Sequence, residues 1–151
     1  MPVINASAAA TIPAPASLLY EIIADYNVGH PSILPPQYFG RLEVLAGGRG
    51  AGTKIRFEMK AFGKVNVSVG EITEPTPGRE LRETLTDGIV STFLVDPIDA
   101  NSARVTISTT YEKGGLRGLM ESLLAPRFLR DVYTAELAQL ERVALSRQRP
   151  A

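Results

Sequence analysis

Between residues 41 and 112 apolar side chains recur at every second position, and the runs are broken by GGRGAG, AFGK, PTPG, TDG and DPIDAN. Alternation of this kind belongs to strands with one buried face, and clusters of Gly, Pro, Asn and Asp mark turns. Leu42 and Val44 form the first run. Ile55, Phe57 and Met59 form the second, facing away from Lys54, Arg56, Glu58 and Lys60. Val65, Val67 and Val69 follow, then Leu81 and Leu85, then residues 89–95, then Val105, Ile107 and Tyr111. Connections this short cannot carry a parallel crossover, which needs about a dozen residues. The six runs are therefore sequential strands of an antiparallel meander.

The flanks must cover that sheet. Residues 3–12 alternate loosely, with Ile4, Ala6, Ala8, Ala10 and Ile12 on one face, and read as a first strand ended by Pro13 and Pro15. Pro15 suits the first turn of a helix, where its missing N–H does no harm. Leu18, Leu19, Ile22 and Ile23 then recur at helical spacing, which predicts a helix over 15–25. Pro31, Pro35 and Pro36 restrict the next stretch to a short helical turn and an extended connection. After Gly114 and Gly115 the helical period returns and holds to about Ser146. Leu116, Leu119, Met120, Leu123, Leu129, Tyr133, Leu137 and Leu140 trace its apolar stripe, with Pro126 expected to kink it. Such a stripe must be buried, and the apolar face of the sheet is the surface available.

Composition narrows the function. Lys and Arg together number 16, as do Asp and Glu, so there is no net field to attract a polyanion, and no nucleic-acid partner is expected. With no cysteine and one histidine, thiolate catalysis and a zinc site are excluded in practice, and neither metal nor cofactor is expected. No apolar run approaches the about 20 residues of a membrane span, and the first residues lack the charged and apolar regions of a signal peptide. The expectation is one cytoplasmic domain over residues 1–151, with no residue pattern that fixes an oligomeric state.

TIPAPASLLYEIIADY (11–26), GGRGAGTKIRF (47–57) and DVYTAELAQLERVA (131–144) give the chain a family likeness. They resemble the strand-to-helix entry, the glycine turn and the helix ending of the SRPBCC or START-like superfamily, nearest to its polyketide cyclase/dehydrase-like branch. The resemblance spans roughly residues 3–145. It implies an α+β helix-grip fold: a seven-stranded antiparallel sheet wrapped around a long C-terminal helix, with two short helices after the first strand, which pairs beside the last. It also implies a cavity between sheet and helix for an apolar small molecule such as a lipid, a polyketide or an isoprenoid or quinone. The role is carrier or sensor, with an aromatase/cyclase or dehydratase as the alternative.

Two residues could carry chemistry there. His30, the lone histidine, could act as an acid or base because imidazole titrates near neutrality. Having no evident partners, it is read instead as a partly exposed corner residue beside the short second helix, near the cavity mouth. Glu83 shares strand parity with Leu81 and Leu85, which points it to the apolar side, while Arg82 and Thr84 point out. Strand curvature that carries it to the rim, paired with an arginine, is the preferred alternative. A three-residue loop at Thr86-Asp87-Gly88 would set Glu83 opposite Ser91 and turn Phe93 inward; a two-residue turn would set it opposite Thr92. The first is favoured because it internalises Phe93. Tyr26, His30, Phe57, Met59, Leu81 and Glu83 are candidate ligand contacts, with Ser91, Phe93, Ile107, Tyr111, Met120 and Leu123. GGRGAGTK (47–54) is read as a hairpin turn, since Thr53 separates its last glycine from Lys54 and a strand follows instead of a phosphate-binding helix.

Overall fold

The computed structural model describes residues 3–61, 63–86, 88–112 and 115–148, the side chains of Ile4, Ala61 and residues 115–125 excepted. Strand β1 (Val3–Ile12) leads to helices α1 (Ala16–Ala24) and α2 (Gly29–Ile33). The meander follows: β2 (Phe39–Ala46), β3 (Lys54–Ala61), β4 (Lys64–Thr76), β5 (Glu80–Leu85), β6 (Val90–Asp99) and β7 (Ser102–Glu112). Helix α3 (Gly115–Gln148) closes the chain and runs without interruption past Pro126. The strands form one antiparallel sheet in the order β1-β7-β6-β5-β4-β3-β2, so the first strand lies beside the last. This is the helix-grip fold. Among the described residues no helix is long and apolar enough to cross a membrane.

Pro15 stands immediately before α1, and its carbonyl accepts the N–H groups of Leu18 and Leu19. The helix buries Leu19, Tyr20, Ile22 and Ile23. Among the described residues of α3 the buried side chains are Leu129, Val132, Tyr133, Glu136, Leu137, Leu140 and Ala144, a stripe at helical spacing. It packs on β1 and β7 and against α1 and α2. Fully burying a leucine such as Leu140 contributes about 1.5–3 kcal/mol, so this stripe supplies much of what holds the helix to the sheet.

Two hairpins set which side chains face α3. Between β5 and β6, Gly88 donates to the Leu85 carbonyl and Leu85 to the Ile89 carbonyl, closing a three-residue loop. Gly88 sits at φ +89°, a conformation that favours glycine. Glu83 consequently pairs with Ser91 and Leu81 with Phe93. Asp87 itself lies outside the described residues. Between β3 and β4, Ala61 pairs with Lys64, so odd positions of one strand meet even positions of the next. Phe57 therefore faces inward opposite Ser68, and Met59 opposite Asn66. Val65 and Val67 lie on the outer face, 59% and 52% exposed.

Candidate functional site

The site begins where α1 ends. The N–H of Tyr26 donates to the Gly48 carbonyl at 2.8 Å, and the N–H of Gly50 to the Ala24 carbonyl at 2.9 Å. The GGRGAG turn is thus also a clamp on the end of α1. Gly48 sits at φ +148°, a conformation that side chains rarely adopt, and a Cβ there would lie 2.5 Å from the end of the Asn27 side chain. The Asp25 carboxylate accepts the N–H groups of Asn27, Val28 and Gly29 at 3.1–3.3 Å, and Arg49 approaches it at 3.7 Å. Burial works against the ionised form, but these donors outweigh it and hold the Asp25 carboxyl below its ordinary value. A Cβ on Gly29 would meet the Ile22 carbonyl oxygen at 2.5 Å, so glycine lets α2 fold back directly onto α1.

That return carries His30 into the interior. Its ring stacks on Tyr26 with centroids 4.3 Å apart and meets Phe93 edge-on at 5.3 Å. Nδ1 lies 2.7 Å from the Ile23 carbonyl, an acceptor only, so Nδ1 bears the proton and donates it there. Nε2 lies 3.6 Å from Glu83 Oε2. The Tyr26 hydroxyl donates to the same Glu83 oxygen at 2.5 Å. Burial lowers the His30 pKa, against an opposing pull from Glu83. Burial, then the charge and hydrogen bond of Glu83, push the Tyr26 phenol well above its ordinary value. The neutral imidazole therefore presents a lone pair at Nε2 toward a carboxyl oxygen. One proton placed between these two atoms would join them.

A second tier lies under α3. Ser91 Oγ and Thr109 Oγ1 are 2.8 Å apart, and the Thr109 hydroxyl also bonds the Tyr133 hydroxyl. Burial raises the Tyr133 pKa. Glu136, one turn further along α3, is buried, and among the described residues its Oε2 has no hydrogen-bond partner. Burial and then the Glu83 carboxyl push the Glu136 carboxyl well above the usual carboxylate range. Among the described residues neither glutamate forms an ion pair with a lysine or arginine. An open groove of about 480 Å³ runs between β1, β7 and α3, lined by Asn5, Ser7, Ser108, Thr110, Pro126 and Arg130. Thr109 also borders it, which links the groove to the buried hydroxyls. No three described His, Asp or Glu side chains gather as metal ligands would.

The model of a family described as "polyketide cyclase / dehydrase and lipid transport" matches residues 3–145. The chain belongs to this family. No curated protein matches the sequence. Solved structures that resemble it include the KanY protein in solution, at 26% identity and TM-score 0.81 over 95% of this chain and 99% of that one. A protein of Thermus thermophilus is 24% identical, with TM-score 0.81 over 96% and 99% of the two chains. The Zhui aromatase/cyclase of a Streptomyces species is 20% identical, with TM-score 0.75 over 98% and 97%. At these identities the last two show the fold alone.

Within this polyketide cyclase/dehydrase-family fold, two placements expected from sequence need correcting. His30 is 2% exposed, so it is no partly exposed corner residue: the close approach of Gly29 to α1 turns the ring inward. Glu83 is 7% exposed and among the described residues has no arginine partner: strand parity prevails over curvature, and Tyr26 supplies its donor. Arg82 points outward and pairs with Glu80 at 2.9 Å. Tyr26, His30, Glu83 and Phe93 are one cluster, with Leu81 and Ile107 buried around Phe93 through the pairings of β5, β6 and β7. Ser91 lies opposite Glu83 on β6 and shares a hydrogen bond with Thr109. Phe57 and Met59 are half-buried on β3 and pack against the same core, beside the buried Phe39 of β2, and Tyr111 is buried toward the far end of β7. Met120 and Leu123 are in α3, but their side chains lie outside the described residues. Sequence reasoning missed Thr109 and Glu136. Glu136 could have been found from its spacing, three residues after Tyr133 and four before Leu140, which puts it on the buried stripe.

Proposed function

We propose that the protein binds a small apolar molecule bearing one polar end, a lipid, polyketide or isoprenoid-like compound, between the sheet and α3, as a carrier or sensor. The observation that carries this reading is the buried Tyr26–His30–Glu83 group set in a wall of Leu81, Phe93 and Ile107. Packing alone gives no reason for a carboxyl there: buried ionisable groups are costly, and apolar residues of similar volume serve a core at least as well. Ligand pockets, by contrast, combine apolar lining with a few placed polar groups. The family description, which includes lipid transport, supports the same reading. Native mass spectrometry of freshly purified protein tests it. A stoichiometric adduct that rebinds after extraction is expected; protein that stays free of adduct and binds no apolar probe would refute it.

One observation favours a second reading, an aromatase/cyclase or dehydratase. His30 Nε2 and Glu83 Oε2 at 3.6 Å pair two groups able to exchange a proton out of bulk water. Ring closure and loss of water both need a base beside a carbonyl and an acid at an oxygen. The Zhui aromatase/cyclase has a related fold. A linear poly-ketone analogue separates the readings: a carrier returns it unchanged, whereas an enzyme converts it and slows sharply on Glu83→Gln.

A further inference from the structure

We propose that the groove between β1, β7 and α3 is a second binding site, distinct from the buried Tyr26–His30–Glu83 group, and that it takes a small carboxylic acid whose carboxylate lies on Arg130. This goes beyond the reading above and does not depend on it.

The groove has the volume of a small-molecule site, about 480 Å³, where such pockets span about 300–1,000 Å³. Sheet register builds one wall of it. Asn5, Ala6 and Ser7 of β1 stand opposite Thr110, Thr109 and Ser108 of β7, and all six line the groove. Pro126 and Arg130 form the other wall, one turn apart on α3 and therefore on the same side of the helix. Ala6 and Pro126 supply apolar surface for the body of a ligand.

The polar groups decide the other end. The Thr110 hydroxyl donates to Asn5 Oδ1 at 2.9 Å, which leaves the Asn5 amide N–H groups as donors. Arg130 is exposed, and among the described residues its guanidinium forms no ion pair. A guanidinium only donates. Among the described residues no Asp or Glu lines the groove. It therefore offers donors and one positive charge with no anion to meet them, and the complementary ligand group must accept. An amine would be repelled. One guanidinium balances one carboxylate through two parallel hydrogen bonds, whereas a phosphate monoester brings a charge of about −1.5 to −2.

NMR titration of the whole chain with phenylbutyrate, and with phenylbutanol as its neutral counterpart, tests the proposal. Phenylbutyrate should give saturable shifts at Ser7, Ser108, Thr110 and Arg130, and should bind more weakly as salt is raised, because an exposed charge is screened. At those residues the alcohol should bind about tenfold more weakly than the acid, the size of one charge-assisted hydrogen bond. Arg130→Gln should remove the difference. Arg127→Gln, which deletes an exposed charge outside the groove, should keep it. Absence of saturable shifts along the groove would overturn the proposal. So would equal binding of acid and alcohol there, or an advantage of the acid that survives Arg130→Gln. The binding reading above is judged by the alcohol's shifts at Tyr26 and Phe93, so either can fail alone.

Discussion

At Glu136 the folded protein holds a proton that the unfolded chain gives up once pH passes about 4.5, the ordinary value of the group. A carboxyl whose folded pKa is raised contributes stability that is complete below its unfolded pKa and is lost as pH rises toward the folded one. Glu136→Gln should therefore change the melting temperature little near pH 4 and raise it increasingly toward pH 8; an equal shift at both ends would contradict the assignment. Tyr26→Phe removes the hydroxyl from Glu83 Oε2 and should cost about 1–3 kcal/mol in urea denaturation, since it leaves a buried carboxyl without that donor. Glu83 was legible from LRETL, because period-two alternation alone aims it between Leu81 and Leu85. The depth of His30 was not. It depends on the fold of α2 onto α1, a tertiary contact with no periodic signature.

Among the elements, α2 is five residues long and its position rests on Gly29 and on the Asp25 carboxylate that accepts the N–H groups of residues 27–29. Gly29→Ala drives a methyl into the Ile22 carbonyl and should destabilise by about 1–3 kcal/mol, while shifting the His30 ring resonances. Val28→Ala, one residue away and exposed, should stay within about 0.5 kcal/mol. Loss of stability at Val28 with none at Gly29 would refute the packing argument. The hairpins show how far alternation reaches. It identifies two faces of β4 but not which is inside: the pairing of Ala61 with Lys64 puts Ser68 opposite Phe57 and sends Val67 to the surface. On β5 and β6 the demand to bury Phe93 chose the correct loop, because one register buries a large aromatic and the other does not.

For the whole molecule, the order of periods, two for the meander and 3.6 for the last helix, was enough to predict a sheet gripping α3, since each apolar face had one surface to cover. The interior chemistry needed coordinates, because residues 26 and 30, 83, 109 and 136 come from four segments far apart in the chain. A ligand that binds only the folded state should raise stability by about 2.7 kcal/mol at a free concentration one hundred times its dissociation constant. Its position is the sharper question. An NMR titration of the assigned protein with phenylbutanol answers it directly. Saturable shifts are expected at Tyr26, Glu83, Ser91 and Phe93, the residues of the buried cluster. Shifts confined to Asn5, Ser7 and Arg130 along the outer groove, or none that saturate, would contradict binding in the interior.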